Sequence, residues 1–164
     1  MAKINDPVKL FQRELGMALG AERKILTTLK KLEQKAQRDE LKQQFSHHRE
    51  ETEGQIRNIE QAFQALGADA TGHHHETVEG LATESEKMIE MVDEQLVDGV
   101  LLAGAAKTEH LEIAMYRGLI TKAEAMGEQD VVALLQENLE QEEHTRDEVE
   151  KAAQKLAREM AQVA

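Results

Sequence analysis

The sequence contains no cysteine and no tryptophan, and its 164 residues include only one proline, one tyrosine and three phenylalanines. Without cysteine the protein has no disulfide bond, no thiolate catalysis and no zinc site built on thiolates. Strands favour aromatic and β-branched residues, so this composition is typical of long helices. There is no long uncharged apolar run, and the first residues lack the apolar stretch typical of a signal peptide, so we expect a soluble, cytoplasmic protein.

Basic residues are also in the minority, because 20 lysines and arginines stand against 32 aspartates and glutamates, which gives a formal net charge of -12. A surface of this sign repels nucleic acid and anionic lipid, and it attracts cations. We therefore expect no nucleic-acid partner and no membrane partner. The length suits a single domain, residues 1–164, that buries about two thirds of the surface of the unfolded chain.

Apolar residues recur at a spacing of three and four along four long segments, which is the pattern of a packed helix. The expected boundaries are Asp6 as N-cap with Pro7 in the first turn, a polar link at 37–39, Gly67, Asp98 as N-cap of the third long helix, and Gly127. After a loop at 67–75, residues 76–96 are predicted to form a crossover helix. The predicted fold is all-α, a four-helix bundle of two antiparallel hairpins with a helical crossover segment.

Polar residues interrupt the apolar face of each long helix. The intruding residues are Glu22 in the first helix, His48 and Glu51 in the second, Glu109 and Glu112 in the third, and Glu142 in the fourth. A buried charge without a partner is costly. Each hairpin places its two carboxylates about 15 residues from its turn, and therefore at one level along the bundle. A shared pair of metal ions would offset the cost of burying these charges in all four helices at once.

These residues offer five carboxylates and one imidazole, a donor set that suits iron or manganese better than copper or structural zinc. His48 and Glu51 lie one helical turn apart, so one can bind an ion while the other bridges two ions. Glu109 and Glu112 have the same spacing. Five negative charges exceed the charge of two divalent ions by about one, which favours an oxidised, trivalent pair. A ferroxidase or a peroxide-reducing centre has this requirement.

The sequence resembles the YciF-type (YciE/YciF) family of ferritin-like proteins over nearly its whole length. The segments that carry the resemblance are LFQRELGMALGAERKIL, HHREETEGQIRNIEQAFQALG, AAKTEHLEIAMYRGL and LLQENLEQEE, one from each long helix. The resemblance implies a ferritin-like four-helix bundle with a buried di-metal site, a homodimer and a link to bacterial stress responses.

The sequence departs from the wider ferritin-like pattern, which has Glu-x-x-His on two helices. The second helix has the reverse order, His48-x-x-Glu51, and the fourth has Glu142-x-x-Thr145. His144 is two residues past Glu142 and is predicted to point away from the site. The nitrogen ligand of the second metal is therefore missing from its expected place.

Three functions follow as hypotheses. In the first, two iron ions, with manganese as the alternative metal, react with O2 or peroxide as in a di-iron oxidoreductase. The assigned roles are Glu22 and Glu109 as terminal ligands, Glu51, Glu112 and Glu142 as bridging or chelating ligands, and His48 as the nitrogen ligand. In the second, the metals only hold the bundle together in a non-catalytic stress-response protein that acts through protein partners. The third, iron storage, requires a hollow cage.

Several neighbours of these residues have two interpretations each. Tyr116 lies one turn beyond Glu112, where it can bond a ligand carboxylate, be oxidised during turnover, or simply fill the core. Gln55 is either an outer hydrogen-bond partner of a ligand or an amide at the edge of the core. Asn138 and Thr145 are placed either to orient the carboxylate between them or to fill the core.

Three further features lie outside the predicted site. The run His73-His74-His75 is either a surface metal site or a solvated loop. Gly16 and Gly20 lie four residues apart on the first helix and permit a close approach of another segment. That segment belongs either to the same chain or to a second subunit.

Overall fold

Two helical hairpins make up most of the protein in the computed structural model, which describes residues 3–163. The elements of this part of the chain are α1 (Pro7–Lys35), α2 (Asp39–Ala65), α3 (Glu76–Met91), a 3-10 turn (Glu94–Leu96), α4 (Val97–Met126) and α5 (Gln129–Val163). Helix α1 packs on α2 and α4 packs on α5, while α3 lies against α4 and α1. The predicted all-α bundle of two hairpins with a helical crossover is confirmed, although the crossover helix ends at Met91 rather than at residue 96.

Local chemistry accounts for most of the helix ends. The Asp6 carboxylate accepts a hydrogen bond from the backbone N–H of Val8 at 2.8 Å, and Pro7 occupies the first turn of α1, as predicted. Gly67 and Gly127 follow α2 and α4 with φ angles of +64° and +77°. Glycine adopts this left-handed conformation without a Cβ penalty, so both helices stop where the sequence indicates.

The prediction that Asp98 is the N-cap of the third long helix is wrong. Helix α4 begins at Val97 with Leu96 as its N-cap, so Asp98 lies inside the first turn, and its side chain is buried. Its carboxylate accepts backbone N–H groups of Gln37 at 2.8 Å and Arg38 at 3.2 Å. Those two groups precede the first turn of α2, where Arg38 itself makes no side-chain cap. Asp98 therefore caps a neighbouring helix and ties the α1–α2 turn to α4.

The loop between α2 and α3 crosses α1 at two glycines. The N–H of His73 donates to the carbonyl of Gly16 at 2.7 Å, and a Cβ on Gly20 would lie 1.8 Å from the carbonyl oxygen of His73. The two glycines thus accommodate a loop of their own chain. Within the same loop, His75 uses its Nδ1 to accept the Val78 N–H and so caps α3.

The apolar core falls into two clusters with a polar layer between them. Toward the Gly127 end the cluster includes Phe11, Leu15, Leu19, Ile59, Phe63, Tyr116, Leu119, Val131 and Leu135. Toward the other end it includes Ile25, Leu29, Leu41, Phe45, Val97, Leu101, Leu102, Val149 and Leu156. Val8, in the first turn of α1, lies outside both clusters and is 46 % exposed. None of the helices in the described part of the chain has the length and hydropathy that a membrane span requires.

Candidate metal centre

A layer of buried polar side chains occupies the middle of the bundle, where all four long helices contribute. Its members are Glu22, His48, Thr52, Gln55, Glu109, Glu112, Asn138, Glu142 and Thr145. Each of them is at most 3 % exposed. Ionisable residues are almost never buried to this degree unless they are paired or bind a cation, so the layer needs a specific explanation.

Four of the six candidate ligands come together at the centre of this layer. One ligand atom each from His48, Glu109, Glu112 and Glu142 lies within 4.8 Å of the others. His48 Nδ1 is 3.5 Å from Glu109 Oε1, and His48 Nε2 is 3.8 Å from Glu142 Oε2. Three helices thus supply a compact set of three carboxylates and one imidazole that could hold a metal ion.

The other two candidates lie outside this group of four. Glu22 is fully buried and accepts a hydrogen bond from the Tyr116 hydroxyl through Oε1. The Glu51 side chain is 16 % exposed, with Oε1 3.5 Å from His47 Nε2. Its Oε2 accepts a hydrogen bond from Thr145 Oγ1 at 3.3 Å. Thr145 thus contacts Glu51 on α2 rather than the carboxylate of its own helix.

Most oxygens of the buried carboxylates lack hydrogen bonds. Seven carboxylate oxygens and His48 Nε2 have no hydrogen-bond partner among the described residues. The seven are Oε2 of Glu22 and both oxygens of Glu109, Glu112 and Glu142. Buried carboxylates are ordinarily satisfied by donors, so this number of free oxygens around one point fits the needs of a hard cation.

The same burial shifts the protonation of these groups. Burial and the charge of Glu142 raise the pKa of Glu22 to about 8 and raise the pKa of Glu112 well above its usual range. The pKa of Glu109 is raised for the same two reasons, burial first. Burial raises the pKa of Glu142 to about 7. Without a cation the layer therefore limits its charge by holding protons, and a protonated carboxyl can then hydrogen-bond its neighbour, Glu22 with Glu112 and Glu109 with Glu142. A cation would displace these protons.

His48 is held as a neutral imidazole. Burial, followed by the charge of neighbouring His47, lowers the pKa of His48 to about 4. A neutral ring has a nitrogen lone pair to offer a metal. The prediction that His144 points away from the site is confirmed, since its side chain is 67 % exposed. The side chains of His47 and His110 are also exposed, at 62 % and 59 %. Among the described residues, His48 is thus the one imidazole in the polar layer.

A chain of hydrogen bonds runs from the side of α2 to the Glu22 carboxylate. Asn58 Nδ2 donates to Asn138 Oδ1 at 2.8 Å, and Asn138 Nδ2 donates to the Tyr116 hydroxyl at 3.1 Å and to the Gln55 carbonyl at 3.2 Å. Tyr116 then donates to Glu22. Of the interpretations of Tyr116, a bond to a candidate ligand carboxylate is the one found. Asn138 orients this tyrosine. The sequence did not single out Asn58, although its spacing of three from Gln55 places both residues on one side of α2.

The sequence matches a family model and a known protein over most of its length. A family model described as a domain of unknown function (DUF892) matches residues 6–162. Protein YciF of Escherichia coli (strain K12) is 36 % identical over 138 residues, which is 83 % of this chain and 83 % of that protein. The range matched by the family model includes all four long helices and the polar layer.

Solved structures agree with the fold. The crystal structure of the E. coli stress protein YciF superposes with a TM-score of 0.89 at 31 % identity, covering 94 % of this chain and 99 % of that one. YcfI from Rhodopseudomonas palustris gives a TM-score of 0.88 at 31 % identity, covering 90 % of this chain and 95 % of that one. From the matches in sequence and in structure together, it follows that the chain belongs to the YciF-type family, and the resemblance first read from its four helical segments is confirmed.

Proposed function

We propose that the polar layer binds two metal ions, iron with manganese as the alternative, and that the protein oxidises Fe(II) with O2 or peroxide. The observation that carries the proposal is the set of seven buried carboxylate oxygens and one imidazole nitrogen without hydrogen-bond partners among the described residues. Removing one ion from water into this layer is favourable only if several such donors replace its hydration shell. Oxygen donors with a single nitrogen suit iron or manganese.

In this proposal the group of four holds the first ion and the flanking residues complete the second. His48, Glu109, Glu112 and Glu142 are close enough to share one ion. Glu22 supplies the free Oε2 on one helix, and Glu51 supplies a carboxylate at the edge of the layer. Glu112 and Glu142 would offer both of their oxygens to the metal ions, since none of the four has a hydrogen-bond partner among the described residues when the carboxylates are ionised.

When bound, two Fe(II) ions would supply two electrons, and one H2O2 molecule with two protons would take them up to give two water molecules. The chain's own contribution is to exclude water and to fix the carboxylates. Apolar clusters close the layer on both sides along the bundle. The Tyr116 hydroxyl donates a hydrogen bond to one oxygen of Glu22, and this bond also fixes the orientation of the other oxygen.

The proposal extends to the setting of the protein. E. coli YciF is described as a stress protein, and oxidation of Fe(II) by peroxide removes two reactants that damage cells. We expect a homodimer in the cytoplasm, with a mass near twice 18.4 kDa by light scattering. A particle of many subunits would favour iron storage instead.

The test begins with anaerobic titration of metal-free protein with Fe(II) or Mn(II), followed by elemental analysis of protein isolated from its native host. We expect two ions per chain. Addition of H2O2 to the iron-loaded protein is expected to convert both ions to Fe(III), which Mössbauer spectroscopy counts. Two bound Fe(II) ions that stay reduced at excess O2 and peroxide would reject the redox role.

The alternative function has a different signature. If the metals serve only to hold the bundle together, chelation lowers the melting temperature while iron-loaded protein shows no turnover. The protein would then act through protein partners, and capture experiments with loaded and chelated protein would recover different partners.

A further inference from the structure

A narrow cavity lies between α1, α3 and α4 and reaches the metal centre. Its volume is about 30 Å³, and His48 and Glu109 form part of its wall. Ala82 and Ser85 of the crossover helix α3 form another part, so α3 lies directly over this approach to the polar layer. The four long helices alone do not explain the cavity, because it exists only where the crossover helix covers a gap between α1 and α4.

The cavity continues toward the protein surface. A wider groove of about 220 Å³ lies between α1 and α3. The residues that line both the groove and the cavity are Thr28, Leu32, Ala82 and Ser85. The two volumes share these four lining residues and therefore adjoin each other, so together they mark a line of approach from the surface to His48 and Glu109.

The walls of this path indicate what could travel along it. Apart from the two candidate metal ligands, the cavity is lined by aliphatic side chains and by the hydroxyls of Thr28, Ser85 and Thr108. Charged side chains, those of Lys31, Lys35, Glu86 and Glu90, line only the outer groove. Inside the cavity a metal cation would meet no charged group before Glu109, and its desolvation there would be uncompensated. A neutral molecule with a few hydrogen-bonding groups meets no such barrier. The cavity exceeds the roughly 10–15 Å³ that one water molecule requires, so water, O2 and H2O2 are small enough to enter it.

The narrow part of the path is made of small residues. Ala82 and Ser85 both lie on the face of α3 toward the cavity, and Ala82 is buried. On the opposite wall a Cβ added to Gly104 would lie 2.5 Å from Ser85 Oγ, so α3 and α4 touch closely there. Larger side chains at these positions would fill the cavity.

Helix α3 is also the least anchored helix of the bundle. Among the described residues only Val78 and Ala82 of α3 are buried. Ion pairs attach it to α1, with Lys24 Nζ 2.7 Å from Glu79 and Lys31 Nζ 2.8 Å from Glu86. Exposed pairs of this kind contribute little, so small outward movements of α3 that widen the path are inexpensive.

We infer that the cavity between α1, α3 and α4 is the access route for a neutral oxidant no larger than H2O2, and that Ala82 and Ser85 set its width. This inference rests on the proposed metal site and adds the path and the size of the oxidant. It assigns α3 a function, since the crossover helix is then a size filter over one side of the metal centre.

The first test uses metal-free protein and no reaction. Crystals of the wild-type protein and of Ala82→Leu are pressurised with xenon, which marks apolar cavities. We expect xenon beside Ala82 in the wild-type protein and its exclusion from Ala82→Leu. The matched control is Thr83→Leu, which adds the same side chain at an exposed neighbouring position of α3 and leaves xenon in place. A wild-type cavity without xenon overturns the inference.

The second test measures arrival at the metal. Nitric oxide binds to Fe(II), and its rate of binding to iron-loaded protein follows access without any turnover. We expect Ala82→Leu to slow nitric oxide binding and the oxidation of Fe(II) by H2O2 about tenfold, equivalent to about 1.4 kcal/mol of added barrier, with the rates of Thr83→Leu unchanged.

Leu32→Ala, which enlarges the shared part of the path, is expected to admit tert-butyl hydroperoxide that the wild-type protein excludes.

The two proposals fail in different ways. Nitric oxide binding at the wild-type rate in Ala82→Leu overturns the route, whatever the oxidation experiments give. Iron-loaded protein that binds nitric oxide through the route but never reduces peroxide retains the route and rejects the redox function. Bound iron is confirmed in every variant before the rates are compared.

Discussion

At the scale of the residue, Glu142 is the side chain on which the metal centre depends most. Its ligand atom lies within 4.8 Å of those of His48, Glu109 and Glu112, and its charge raises the pKa of both neighbouring glutamates. In metal-free Glu142→Gln at pH 8, a neutral amide replaces a carboxyl whose pKa is about 7. We expect this variant to be about 3 kcal/mol more stable than the metal-free wild type in urea unfolding, because an ionised buried carboxylate is removed.

The same substitution is expected to weaken Fe(II) or Mn(II) binding about 100-fold or more, measured by calorimetric titration, because a direct ligand is lost. Glu137→Gln is the matched control, since Glu137 lies on the same helix and is exposed. Opposite signs for stability and metal binding in one variant distinguish a metal site from a structural polar network. In a structural network the variant would lose stability and leave metal binding unchanged.

Tyr116 acts on the metal centre through Glu22. Its hydroxyl donates to one Glu22 oxygen and accepts from Asn138, so it holds that carboxylate in one orientation. We expect Tyr116→Phe to lower metal affinity by about 10–100-fold, as losses of a ligand's outer hydrogen-bond partner do. Calorimetric titration at fixed pH measures this affinity.

Thr52→Val is the comparison for Tyr116→Phe. It also removes one buried hydroxyl from the polar layer, but that hydroxyl donates to the backbone carbonyl of His48 and not to a carboxylate. Its metal affinity should stay within about threefold of the wild type, since helix-backbone bonds of this kind contribute little. Equal losses of affinity in both variants would mean that Tyr116 matters only for packing.

At the scale of the element, the cap at the start of α2 comes from a different helix. The buried Asp98 carboxylate accepts the N–H groups of Gln37 and Arg38. We expect Asp98→Ala to reduce the free energy of unfolding by about 1–2 kcal/mol, the usual cost of losing an N-cap side chain. Asp93→Ala is the control, because Asp93 is exposed and its side chain makes no cap bond.

Hydrogen exchange locates the effect of Asp98→Ala. The amides of Gln37 and Arg38 should exchange faster in this variant while amides in the middle of α5 keep their protection relative to global stability. Uniform acceleration throughout the bundle, with no excess at these two amides, would contradict the capping role.

The helices show which features of the fold could be predicted from the sequence and which could not. Spacings of three and four predicted all four long helices, because the period of the apolar residues is set by helix geometry that every packed helix shares. Asp98 was assigned to the wrong helix because an N-cap is recognised by local sequence, whereas this carboxylate reaches a turn some 60 residues away. The early end of the crossover helix and the loop over Gly20 depend on tertiary contacts in the same way.

The site was predictable for a similar reason and to a similar degree. A polar residue on an apolar helix face can be recognised from the spacing of residues along the sequence, so the four clustered residues and Glu22 could be identified without a structure. Their hydrogen bonds could not, because Asn138 and Thr145 bond to partners on other helices whose rotation the sequence does not fix. The cavity under α3 needed the packing of three helices, which no periodicity describes.

At the scale of the whole molecule, the polar layer separates two apolar clusters and so connects the stability of the bundle to its protons. In the metal-free protein the folded-state pKa values of Glu22 and Glu142 are about 8 and about 7, above the 4.5 of an unfolded glutamate. Their contribution to stability is therefore complete below pH 4.5 and is lost as the pH rises toward 8. His48 has the opposite sign, because its folded-state pKa of about 4 lies below 6.5, so its contribution is complete above pH 6.5.

Between pH 6.5 and pH 8 only the carboxyl contribution changes, and the direction of the effect is therefore defined. We expect the free energy of unfolding of chelated protein to fall by about 2–3 kcal/mol over this interval, measured by urea titration at both pH values. With excess Mn(II) the trend should reverse, because metal ions displace protons from these carboxyls and bind more tightly as the pH rises. Glu142→Gln should flatten part of the decline. A chelated protein whose stability is constant from pH 6.5 to pH 8 would mean that the buried carboxyls are already neutralised by partners within the chain, and the argument for a metal centre would lose its physical basis.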